Sequence, residues 1–582
     1  MTTKASARRA ADHRRRGVGA RAPEAGDLRR SLKHVFGISR LRPGQEQVIA
    51  RVLARRDTLA VMPTGAGKSL CYQLPALHLR GTTLVVSPLI ALMKDQHDKL
   101  VEAGVSAVTL NSVLTDAEAE EALARIVEGS VRIVFVTPER LSDAATVEAL
   151  RAAGVALFVV DEAHCISQWG HDFRPAYLEL RSALESLGDP PVLALTATAP
   201  DEVAADIATQ LGRPSLQVIR TGVYRANLRY AVVPVTSEDE RVSRIVDIVR
   251  SSQGTGIVYT ATVRAAEALH EALKAAGVEA TLYHGKLPAK ARHLHQDAFM
   301  DGSARVVVAT NAFGLGVDKT DIRFVLHAHM PASLEAYYQE SGRGGRDGLP
   351  CDCTLLYDVR DKRIQQFFLA RRYPDEDMVT AVDETVAKIA VDSPVAFDTL
   401  RTALPAVAAS KIRVALSLLV RAGQIERRRN GNVISRRRDA VGGLHARLAQ
   451  GYADKAEGDR EKLERMVFYA QTRYCRWRVM LDYFAETSPD GERCGTCDNC
   501  SRVEREDSPR AAPPPRNAHP RPRRGHLGSG DAVRVPRYGQ GRVRGAAGDE
   551  VTVEFADGAV RTFLASYVRR AARTRDVSAA AD

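Results

Sequence analysis

Short apolar runs alternate with helical stretches along the chain from Leu28 to Tyr357. Aliphatic and β-branched residues fill these runs, as they do in strands that are buried on both faces of a parallel sheet. The runs form two successive series: Thr58–Met62, Thr83–Val86, Ile133–Val136, Leu157–Val160, Val192–Leu195, then Gly256–Tyr259, Ala280–Tyr283, Val306–Ala309, Phe324–Leu326 and Cys353–Tyr357. The pattern predicts an α/β chain with two tandem parallel-sheet lobes, at residues 28–215 and 216–358.

The pattern changes after Asp375, where three helical stretches precede a short strand. These segments are Met378–Ala390, Phe397–Leu404, Lys411–Ala422 and Val433–Ile434. Three helices followed by a basic β-turn resemble a winged-helix module. We therefore predict a winged-helix-like α+β insertion at residues 359–455, and the alternative is a helical spacer with a solvated basic face.

The C-terminal part of the chain predicts three further segments. A helical stretch, Arg460–Phe484, leads into a cysteine cluster and indicates a helical module at residues 456–505. Residues 506–530 are rich in Pro, Arg and Gly and cannot bury a core, so they are predicted to be a linker. Apolar and polar residues then alternate between Gly turns, which predicts a small, strongly bent β-barrel at residues 531–572.

The charge balance narrows the class of partner. Lys and Arg outnumber Asp and Glu by 83 to 71, a net charge of +12, which favours a polyanion. No apolar run is long enough to cross a bilayer, and the basic residues 1–27 lack the apolar segment of a secretory signal. We expect no membrane contact. Residues 1–27 are predicted to be a disordered basic arm that either touches nucleic acid or is a solvated tail without a role.

A phosphate-binding loop follows the first predicted strand, at residues 62–69 (the P-loop). Gly65 and Gly67 let backbone N–H groups approach phosphate oxygens, and the helix that follows favours an anion at its start. Lys68 would reach the terminal phosphates, and Ser69 would bind Mg²⁺. The sequence therefore predicts a nucleoside triphosphate site with Mg²⁺.

Two adjacent carboxylates, Asp161 and Glu162, come directly after the predicted strand Leu157–Val160. Asp161 is the expected partner of the Mg²⁺, directly or through water. Glu162 would orient and deprotonate the attacking water, because phosphoryl transfer needs mainly positioning and charge stabilisation. The alternative is an acidic turn at a strand end that carries no chemistry.

Four cysteines have the spacing of a metal site: Cys475, Cys494, Cys497 and Cys500. A set of four thiolates suits tetrahedral Zn²⁺ in a closed, structural site. Their spacing fits a metal in a reducing cytosol better than a disulfide scaffold. The alternative is a group of separate buried thiols.

Further motifs resemble, in order, those of superfamily-2 helicases. They are Leu41–Gln45, Val86–Gln96, Thr137–Leu141, Leu195–Ala199, Thr310–Lys319 and Gln339–Gly348. The aromatic-rich segment Cys165–Pro175 and the cysteine module make the resemblance specific to the RecQ family, of bacterial type. That resemblance implies two RecA-like lobes, a zinc-binding module at 456–505, and an ATP-dependent DNA helicase that translocates 3′ to 5′ in recombination or repair.

The resemblance also implies roles for individual residues. Gln45 would read adenine, and Asp318 would approach the nucleotide from the second lobe. His164, with Thr196 and Thr198, would relay the nucleotide state. The P-loop residues that would hold phosphate or metal are Thr64, Gly65, Gly67, Lys68 and Ser69. The residues that would sense single-stranded DNA are Trp169, Phe173 and Arg174. The residues that would face the γ-phosphate are Arg343 and Arg346, with Arg346 the better candidate for an arginine finger.

Two segments depart from the family pattern. RecQ helicases usually pass almost directly from the second lobe to the zinc module, whereas residues 359–455 intervene here, and we expect this insertion to replace the usual strand-separating winged helix. The barrel at 531–572 resembles SH3/Tudor-like domains that end some superfamily-1 repair helicases. It would bind a protein partner, such as RNA polymerase or a repair factor, or else nucleic acid through arginines such as Arg534 and Arg542.

The expected substrate is single-stranded DNA and duplex-junction DNA, in a cytoplasmic, nucleoid-associated protein. One alternative is an enzyme that unwinds RNA or RNA–DNA hybrids. A second is a non-enzymatic DNA-binding scaffold with a degenerate ATPase. The presence of Lys68, Asp161, Glu162 and Arg346 argues against the scaffold.

Overall fold

The computed structural model describes residues 25–167, 175–313, 319–370, 375–428, 431–436, 443–486, 491, 493–507, 527–535, 538–548 and 550–571. Most of the predicted N-terminal arm and most of the predicted linker lie outside these ranges. The chain divides into two compact units, and the division falls between Gly222 and Val223. The first unit contains lobe 1, and the second contains lobe 2, the insertion, the cysteine module and the C-terminal sheet.

Lobe 1 is built on a seven-stranded, wholly parallel sheet with the order β3-β4-β2-β5-β6-β1-β7. Its strands are β1 Thr58–Val61, β2 Thr82–Val86, β3 Ala107–Leu110, β4 Ile133–Val136, β5 Val155–Val160, β6 Val192–Thr196 and β7 Gln217–Arg220. Its helices are Ala25–His34, Gln45–Leu53, Leu70–Ala76, Ile90–Glu102, Asp116–Val127, Ala144–Ala153, Leu180–Ser186 and Asp201–Gln210. The five predicted strands of this lobe are confirmed, with small shifts at their ends.

The predicted boundary of lobe 1 at residue 215 falls short of the observed one. Strand β7 pairs in parallel with β1 and therefore completes the sheet of lobe 1. Only Ile219 of this edge strand is buried, so its sequence lacks the apolar run by which the other strands were predicted. Strand β3, at the opposite edge, was missed as well.

Lobe 2 has a six-stranded parallel sheet with the order β10-β11-β9-β12-β13-β8. Its strands are β8 Leu228–Pro234, β9 Thr255–Tyr259, β10 Ala280–Tyr283, β11 Val306–Ala309, β12 Ile322–His327 and β13 Cys351–Tyr357. Its helices are Glu238–Ser251, Val263–Ala275, Ala289–Met300, Leu334–Ser341 and Asp361–Ala370. The edge strand β8 was not predicted, because exposed and half-buried residues dominate it.

The insertion contains the elements expected of a winged-helix-like module. Its helices are Glu376–Ile389, Phe397–Ala403 and Ala409–Arg421, and its strands are β14 Ile425–Arg427 and β15 Val433–Ser435. The two strands form an antiparallel hairpin, and Val395 adds a bridge to Val433. Val382, Leu400 and Leu419 lie in a separate hydrophobic core, so the module is more than a helical spacer.

The cysteine module continues directly into lobe 2. Its helices are Leu444–Gln471, Arg476–Tyr483 and Asp498–Asp507. The first helix crosses the predicted domain boundary at 455/456, and the predicted single stretch Arg460–Phe484 is wrong because the helix breaks after Gln471. Trp477 is buried against lobe 2 and donates from Nε1 to the Leu228 carbonyl oxygen at 3.1 Å. One hydrophobic core therefore serves both lobe 2 and this module.

The C-terminal segment forms a five-stranded antiparallel sheet with the order β19-β18-β17-β16-β20. Its strands are β16 Ala532–Val535, β17 Gly539–Ala547, β18 Glu550–Phe555, β19 Val560–Leu564 and β20 Arg569–Arg570. A short 3₁₀ helix, Ala565–Tyr567, precedes the last strand. Tyr567 packs against Tyr357 of lobe 2, with 6.1 Å between ring centroids, and Arg473 forms an ion pair with Glu550. The sheet therefore has its own core and is attached to lobe 2 and the cysteine module within the second unit.

Candidate nucleotide and metal sites

The P-loop connects β1 to the helix Leu70–Ala76, as its sequence predicts. Gly65 and Gly67 have φ angles of 85° and 78°, in the region that favours glycine. A Cβ atom on Gly67 would also lie 2.6 Å from Nε2 of Gln45. Backbone conformation therefore favours glycine at both positions, and at Gly67 the close approach of Gln45 also leaves no room for a side chain.

Gln45 lies behind the P-loop and is almost completely buried. Its Nε2 donates to the carbonyl oxygens of Ala66 at 3.0 Å and Gly67 at 2.9 Å. Its Oε1 accepts from the Arg42 backbone N–H at 2.7 Å. In this structure Gln45 supports the P-loop backbone, and its contact with adenine remains a prediction.

Asp161 and Glu162 follow β5 at the carboxyl end of the sheet, close to Lys68. Burial and the neighbouring Glu162 carboxylate raise the pKa of Asp161 from 3.8 to about 7, against the opposing effect of the Lys68 ammonium group. Lys68 itself donates to the Met62 carbonyl oxygen at 3.3 Å. The fold therefore brings together the cation and the carboxylates that the sequence predicted as one site.

Glu162 connects the Asp161–Glu162 carboxylate pair to the predicted relay residues His164, Thr196 and Thr198. Its φ angle is 47°, an uncommon conformation for a residue with a side chain, and such strain is often found at functional sites. Its Oε2 lies 3.3 Å from Nδ1 of His164, and His164 Nδ1 lies 3.0 Å from the Thr196 hydroxyl. That hydroxyl donates to the Thr198 carbonyl oxygen at 3.0 Å. Glu162, His164, Thr196 and Thr198 therefore form one contiguous group.

Two tyrosines near Asp161 were missed by sequence reasoning. The Tyr177 hydroxyl donates to the Asp161 carbonyl oxygen at 3.2 Å. Burial raises the pKa of Tyr72, and the nearby Asp161 carboxylate raises it further. Tyr72 stands three residues after Ser69, and this spacing places both residues on one side of a helix. The spacing could therefore have indicated that Tyr72 lies near the site.

The donor set at this sheet end fits Mg²⁺. Asp161 is a buried carboxylate whose ionised form needs a cation, and the buried Glu162 Oε2 lies 3.3 Å from His164 Nδ1 but accepts no hydrogen bond among the described residues. Ser69 and Asp161 are the residues that would hold the ion. When bound, Mg²⁺ neutralises charge on the phosphates.

The second unit presents the two predicted arginines. Arg343 and Arg346 follow the helix Leu334–Ser341, and Arg343 is buried. Burial raises the pKa of Tyr259 to about 12, and the nearby Arg343 guanidinium opposes that rise. Beside Tyr259, His327 Nε2 lies 2.9 Å from Glu340 Oε2. These groups cluster at the carboxyl ends of the neighbouring strands β9 and β12.

The four predicted zinc ligands come together in the second unit. Their sulfur atoms all lie within 4.8 Å of one another: Cys475, Cys494, Cys497 and Cys500. Tetrahedral Zn²⁺ with Zn–S bonds of about 2.3 Å fits such a set. Backbone N–H groups of Cys494 and Arg476 donate to the sulfurs of Cys475 and Cys497, at 3.3 Å and 3.4 Å. The cluster is mostly buried, as a closed structural site would be.

Four predicted site residues lie outside the described part of the chain. They are Trp169, Phe173, Arg174 and Asp318. Ser167, the last described residue before Trp169, lies within the aromatic-rich segment and donates to Asp206 at 2.7 Å. Among the described helices, none has both the length and the apolar character needed to cross a membrane.

Three family models match the chain. The DEAD/DEAH box helicase model matches residues 42–207, the helicase conserved C-terminal domain matches residues 240–348, and the RecQ zinc-binding model matches residues 437–501. The first two matches fall on lobes 1 and 2. The third ends just after Cys500.

Curated relatives agree with these matches. The chain is similar to the probable ATP-dependent DNA helicase RecS of Bacillus subtilis (strain 168), at 35% identity over 477 residues, 81% of this chain and 92% of that protein. It is similar to ATP-dependent DNA helicase RecQ of the same strain, at 38% identity over 472 residues, 81% of this chain and 66% of that protein. With RecQ of Pasteurella multocida it shares 42% identity over 330 residues, 57% of this chain and 52% of that protein. The chain thus spans about half to two thirds of the length of these two RecQ proteins.

The raised pKa of Asp161 predicts an unusual pH dependence of stability in the protein without nucleotide and metal. The carboxyl is mostly protonated at pH 5 and mostly ionised at pH 8, and ionisation is unfavourable only in the folded state, so the wild type should lose stability as the pH rises. Asp161→Asn should exceed the wild type modestly at pH 5 and by a larger margin at pH 8, because the margin grows by about 1.4 kcal/mol for each pH unit from the unfolded-state pKa of 3.8 up to the raised pKa of about 7. Urea unfolding in EDTA at both pH values measures this, with exposed Glu148→Gln as the control. Equal stabilities at pH 8 would contradict it.

The cysteine cluster predicts one bound zinc ion that stabilises the second unit. Cys497→Ser should lose the metal and lower the melting temperature, because the binding energy of a structural zinc ion is also folding energy, about 10–16 kcal/mol in zinc-finger peptides. Zinc content by elemental analysis and thermal unfolding measure the two effects. Cys71→Ala, in lobe 1, is the control and should keep the zinc. A wild-type protein without zinc would contradict the assignment.

Proposed function

The chain belongs to the RecQ family of superfamily-2 helicases, and from that membership we propose that it is an ATP-dependent DNA helicase that translocates 3′ to 5′ and unwinds duplexes in recombination or repair. ATP, Mg²⁺ and a structural Zn²⁺ are its cofactors. The observation that carries the proposal is the group in lobe 1, where Lys68 and the Asp161–Glu162 pair meet at the carboxyl end of one sheet. A phosphoryl-transfer site needs this combination of cation, metal ligand and base.

Each residue then has a defined task in hydrolysis. The P-loop backbone and Lys68 bind the phosphates, and Ser69 and Asp161 hold the metal. Glu162 orients the attacking water and accepts its proton at the carboxylate. Arg346 stabilises the charge that develops on the γ-phosphate, an effect worth about 10³–10⁵ in turnover for an arginine finger. His164, through its contacts with Glu162 and Thr196, is placed to report the state of the nucleotide.

The substrate we propose is DNA with a single-stranded segment next to a duplex. Trp169 and Phe173 would stack on unpaired bases, and Arg174 would contact phosphate. The segment that carries them, Cys165–Pro175, begins only a few residues beyond Glu162 in sequence. Bound DNA would therefore act on the catalytic carboxylate through a short stretch of chain.

Unwinding of tailed duplexes tests the proposal. We expect ATP-dependent unwinding of a duplex with a 3′ single-stranded tail, and at least tenfold slower unwinding with a 5′ tail. Glu162→Gln should lower DNA-stimulated ATP hydrolysis by about 10²–10⁴, the usual contribution of a general base. Exposed Glu148→Gln is the matched control and should hydrolyse ATP like the wild type.

The outcomes separate the alternatives that the sequence left open. Unchanged hydrolysis in Glu162→Gln would disprove the catalytic assignment. Faster unwinding of matched RNA or hybrid duplexes at the same salt concentration would indicate the RNA alternative, and fixed salt is needed because phosphate contacts make affinity salt-dependent. Absence of any ATP hydrolysis in the wild type would indicate the non-enzymatic scaffold.

The inserted module supplies a second proposal, which concerns strand separation. We infer that its hairpin and third helix contact the duplex ahead of the enzyme. The third helix carries Lys411, and Arg413 stacks on Phe397 with 4.6 Å from its guanidinium carbon to the ring centroid. Arg427 is exposed on the hairpin. A basic helix followed by a basic hairpin is suited to phosphate contacts.

Charge reversal in this module tests its role. A double variant, Lys411→Glu with Arg427→Glu, should slow unwinding of a forked duplex about tenfold or more, because it replaces phosphate contacts with repulsion. ATP hydrolysis stimulated by single-stranded DNA should be unchanged, since lobe 1 is not altered. The control, exposed Lys388→Glu on the first helix of the module, should leave both activities intact. Unimpaired unwinding by the double variant would contradict the proposal.

The C-terminal sheet is proposed to bind a protein partner, such as RNA polymerase or a repair factor. Its attachment through Tyr567 and Arg473–Glu550 would keep that partner next to lobe 2. If the isolated C-terminal sheet bound nucleic acid and captured no protein, the result would favour the alternative that the sheet is a nucleic-acid-binding domain. We also propose a cytoplasmic location close to the nucleoid, where the substrate is found.

A further inference from the structure

The two predicted γ-phosphate arginines stand on a short irregular segment, residues 342–349, which we term the arginine loop. A side chain on an irregular loop has no regular ladder of hydrogen bonds to fix its position. A phosphate-contacting guanidinium must nevertheless be placed accurately, since a displacement of about 1 Å can lower a rate about 10²-fold. The backbone of this loop must therefore be held in place by contacts with other parts of the chain.

Arg225 provides three of those contacts from a distant part of the sequence. Its Nη1 donates to the Gly342 carbonyl oxygen at 2.7 Å. Its Nη2 donates to the carbonyl oxygens of Gly344 at 2.8 Å and Gly345 at 2.6 Å. The planar, permanently charged fork of a guanidinium is suited to serving several acceptors at once. One side chain thus binds the backbone on both sides of Arg343.

Asn227 holds the other end of the same loop. Its Nδ2 donates to the Gly345 carbonyl oxygen and to the Leu349 carbonyl oxygen, each at 2.8 Å. The Gly345 oxygen therefore accepts from both Asn227 and Arg225, directly before Arg346. Both amide hydrogens of Asn227 are needed, because both of its partners are acceptors.

The glycines of the loop permit this close contact. A Cβ atom on Gly344 would lie 2.2 Å from the Cys351 sulfur. On Gly345, which has a φ angle of 56°, it would lie 2.4 Å from Nδ2 of Asn227. The backbone of the loop thus lies directly against strand β13 and against Asn227.

The segment that carries Arg225 and Asn227 is itself held on both sides. The Val223 N–H donates to the Glu486 carboxylate at 2.7 Å, and the Val223 carbonyl oxygen accepts from the Tyr338 hydroxyl at 2.8 Å. The Leu228 carbonyl oxygen accepts from Trp477 Nε1 at 3.1 Å. Glu486 and Trp477 belong to the cysteine module. Arg225 and Asn227 are therefore presented by a segment that is fixed between that module and lobe 2.

We propose that Arg225 and Asn227 are positioning residues for ATP hydrolysis, which hold the arginine loop so that Arg343 and Arg346 meet the γ-phosphate. This inference rests on the proposed helicase function. Neither residue needs to touch the nucleotide, since both act through the backbone of residues 342–349. Their removal should therefore affect turnover and leave nucleotide binding by lobe 1 intact.

Three variants test the proposal in the full-length protein. Asn227→Asp replaces the amide donor with a carboxylate that repels two carbonyl oxygens, with almost no change in shape. Arg225→Gln removes the guanidinium, and Arg225→Lys retains the charge but not the fork. Exposed Arg229→Gln, on strand β8 two residues after Asn227, is the matched control.

We expect Asn227→Asp and Arg225→Gln to lower kcat for DNA-stimulated ATP hydrolysis by about 10–100-fold. Arg225→Lys should lose less, and Arg229→Gln should match the wild type. Affinity for a fluorescent ADP analogue should stay within about twofold, because ADP has no γ-phosphate. Thermal unfolding identifies variants that are folded at the assay temperature, and Arg225→Lys is the mildest of the three substitutions.

A double-mutant cycle with Arg346→Ala distinguishes positioning from general stability. If Asn227 acts through Arg346, adding Asn227→Asp to Arg346→Ala should lower kcat by far less than it does in the wild type. Full additivity of the two effects on kcat would overturn the proposal. So would a wild-type kcat in folded Asn227→Asp and Arg225→Lys. Either result would leave the assigned role of Arg346 unchanged. Wild-type kcat in Arg346→Ala itself would instead overturn the role of that arginine, and the positioning role with it.

Discussion

The structure depends on the burial of two parallel sheets on both faces. The central strands in such sheets carry mostly apolar side chains in both directions, so charged side chains are placed mainly where these strands end. In lobe 1 the adjacent strands β5, β6 and β1 end at Asp161, Thr196 and the P-loop. In lobe 2 the adjacent strands β9 and β12 end at Tyr259 and His327. The functional side chains of each lobe are therefore concentrated at the carboxyl ends of its central strands.

This concentration has an energetic cost in lobe 1. Asp161 is buried beside another carboxylate, and its pKa is raised to about 7 as a result. Glu162 adopts a left-handed backbone conformation, which is unfavourable for a residue with a side chain. These features destabilise the protein without ligand, and binding of a cation and a nucleotide would relieve the electrostatic part. The site is thus arranged for the bound state rather than for maximal stability.

The second unit joins segments that are far apart in sequence. Arg476 is buried and forms a bidentate ion pair with Asp498, at 2.9 Å and 3.0 Å. Asp498 also accepts from the Val232 N–H at 3.1 Å, on strand β8. Together with Trp477, this arrangement fastens the cysteine module to the edge of lobe 2. The module is consequently part of the framework that supports the arginine loop, and division of the chain at residue 455 does not correspond to a structural boundary.

The sequence by itself determined the features that follow from local physical chemistry. A central parallel strand must be a continuous apolar run, a P-loop needs glycines before its lysine, and a zinc site needs thiolates at short spacing. For this reason the central strands, the Lys68–Asp161–Glu162 group and the four-cysteine cluster could all be predicted. The elements of the inserted module were predicted for a similar reason, since its helices have a clear apolar period.

Only the tertiary structure decided the features that depend on distant partners. The edge strands β3, β7 and β8 join their sheets by backbone pairing, and β7 is mostly exposed whereas β8 is mostly exposed or half-buried. Gln45 supports the P-loop because the fold places it behind Gly67, and the helix break before Cys475 lies where the zinc ligands meet. Arg225 and Asn227 stand more than a hundred residues from the loop that they bind. Nothing in their own neighbourhood distinguishes them from surface polar residues, because the acceptors that define their role are brought to them only by folding.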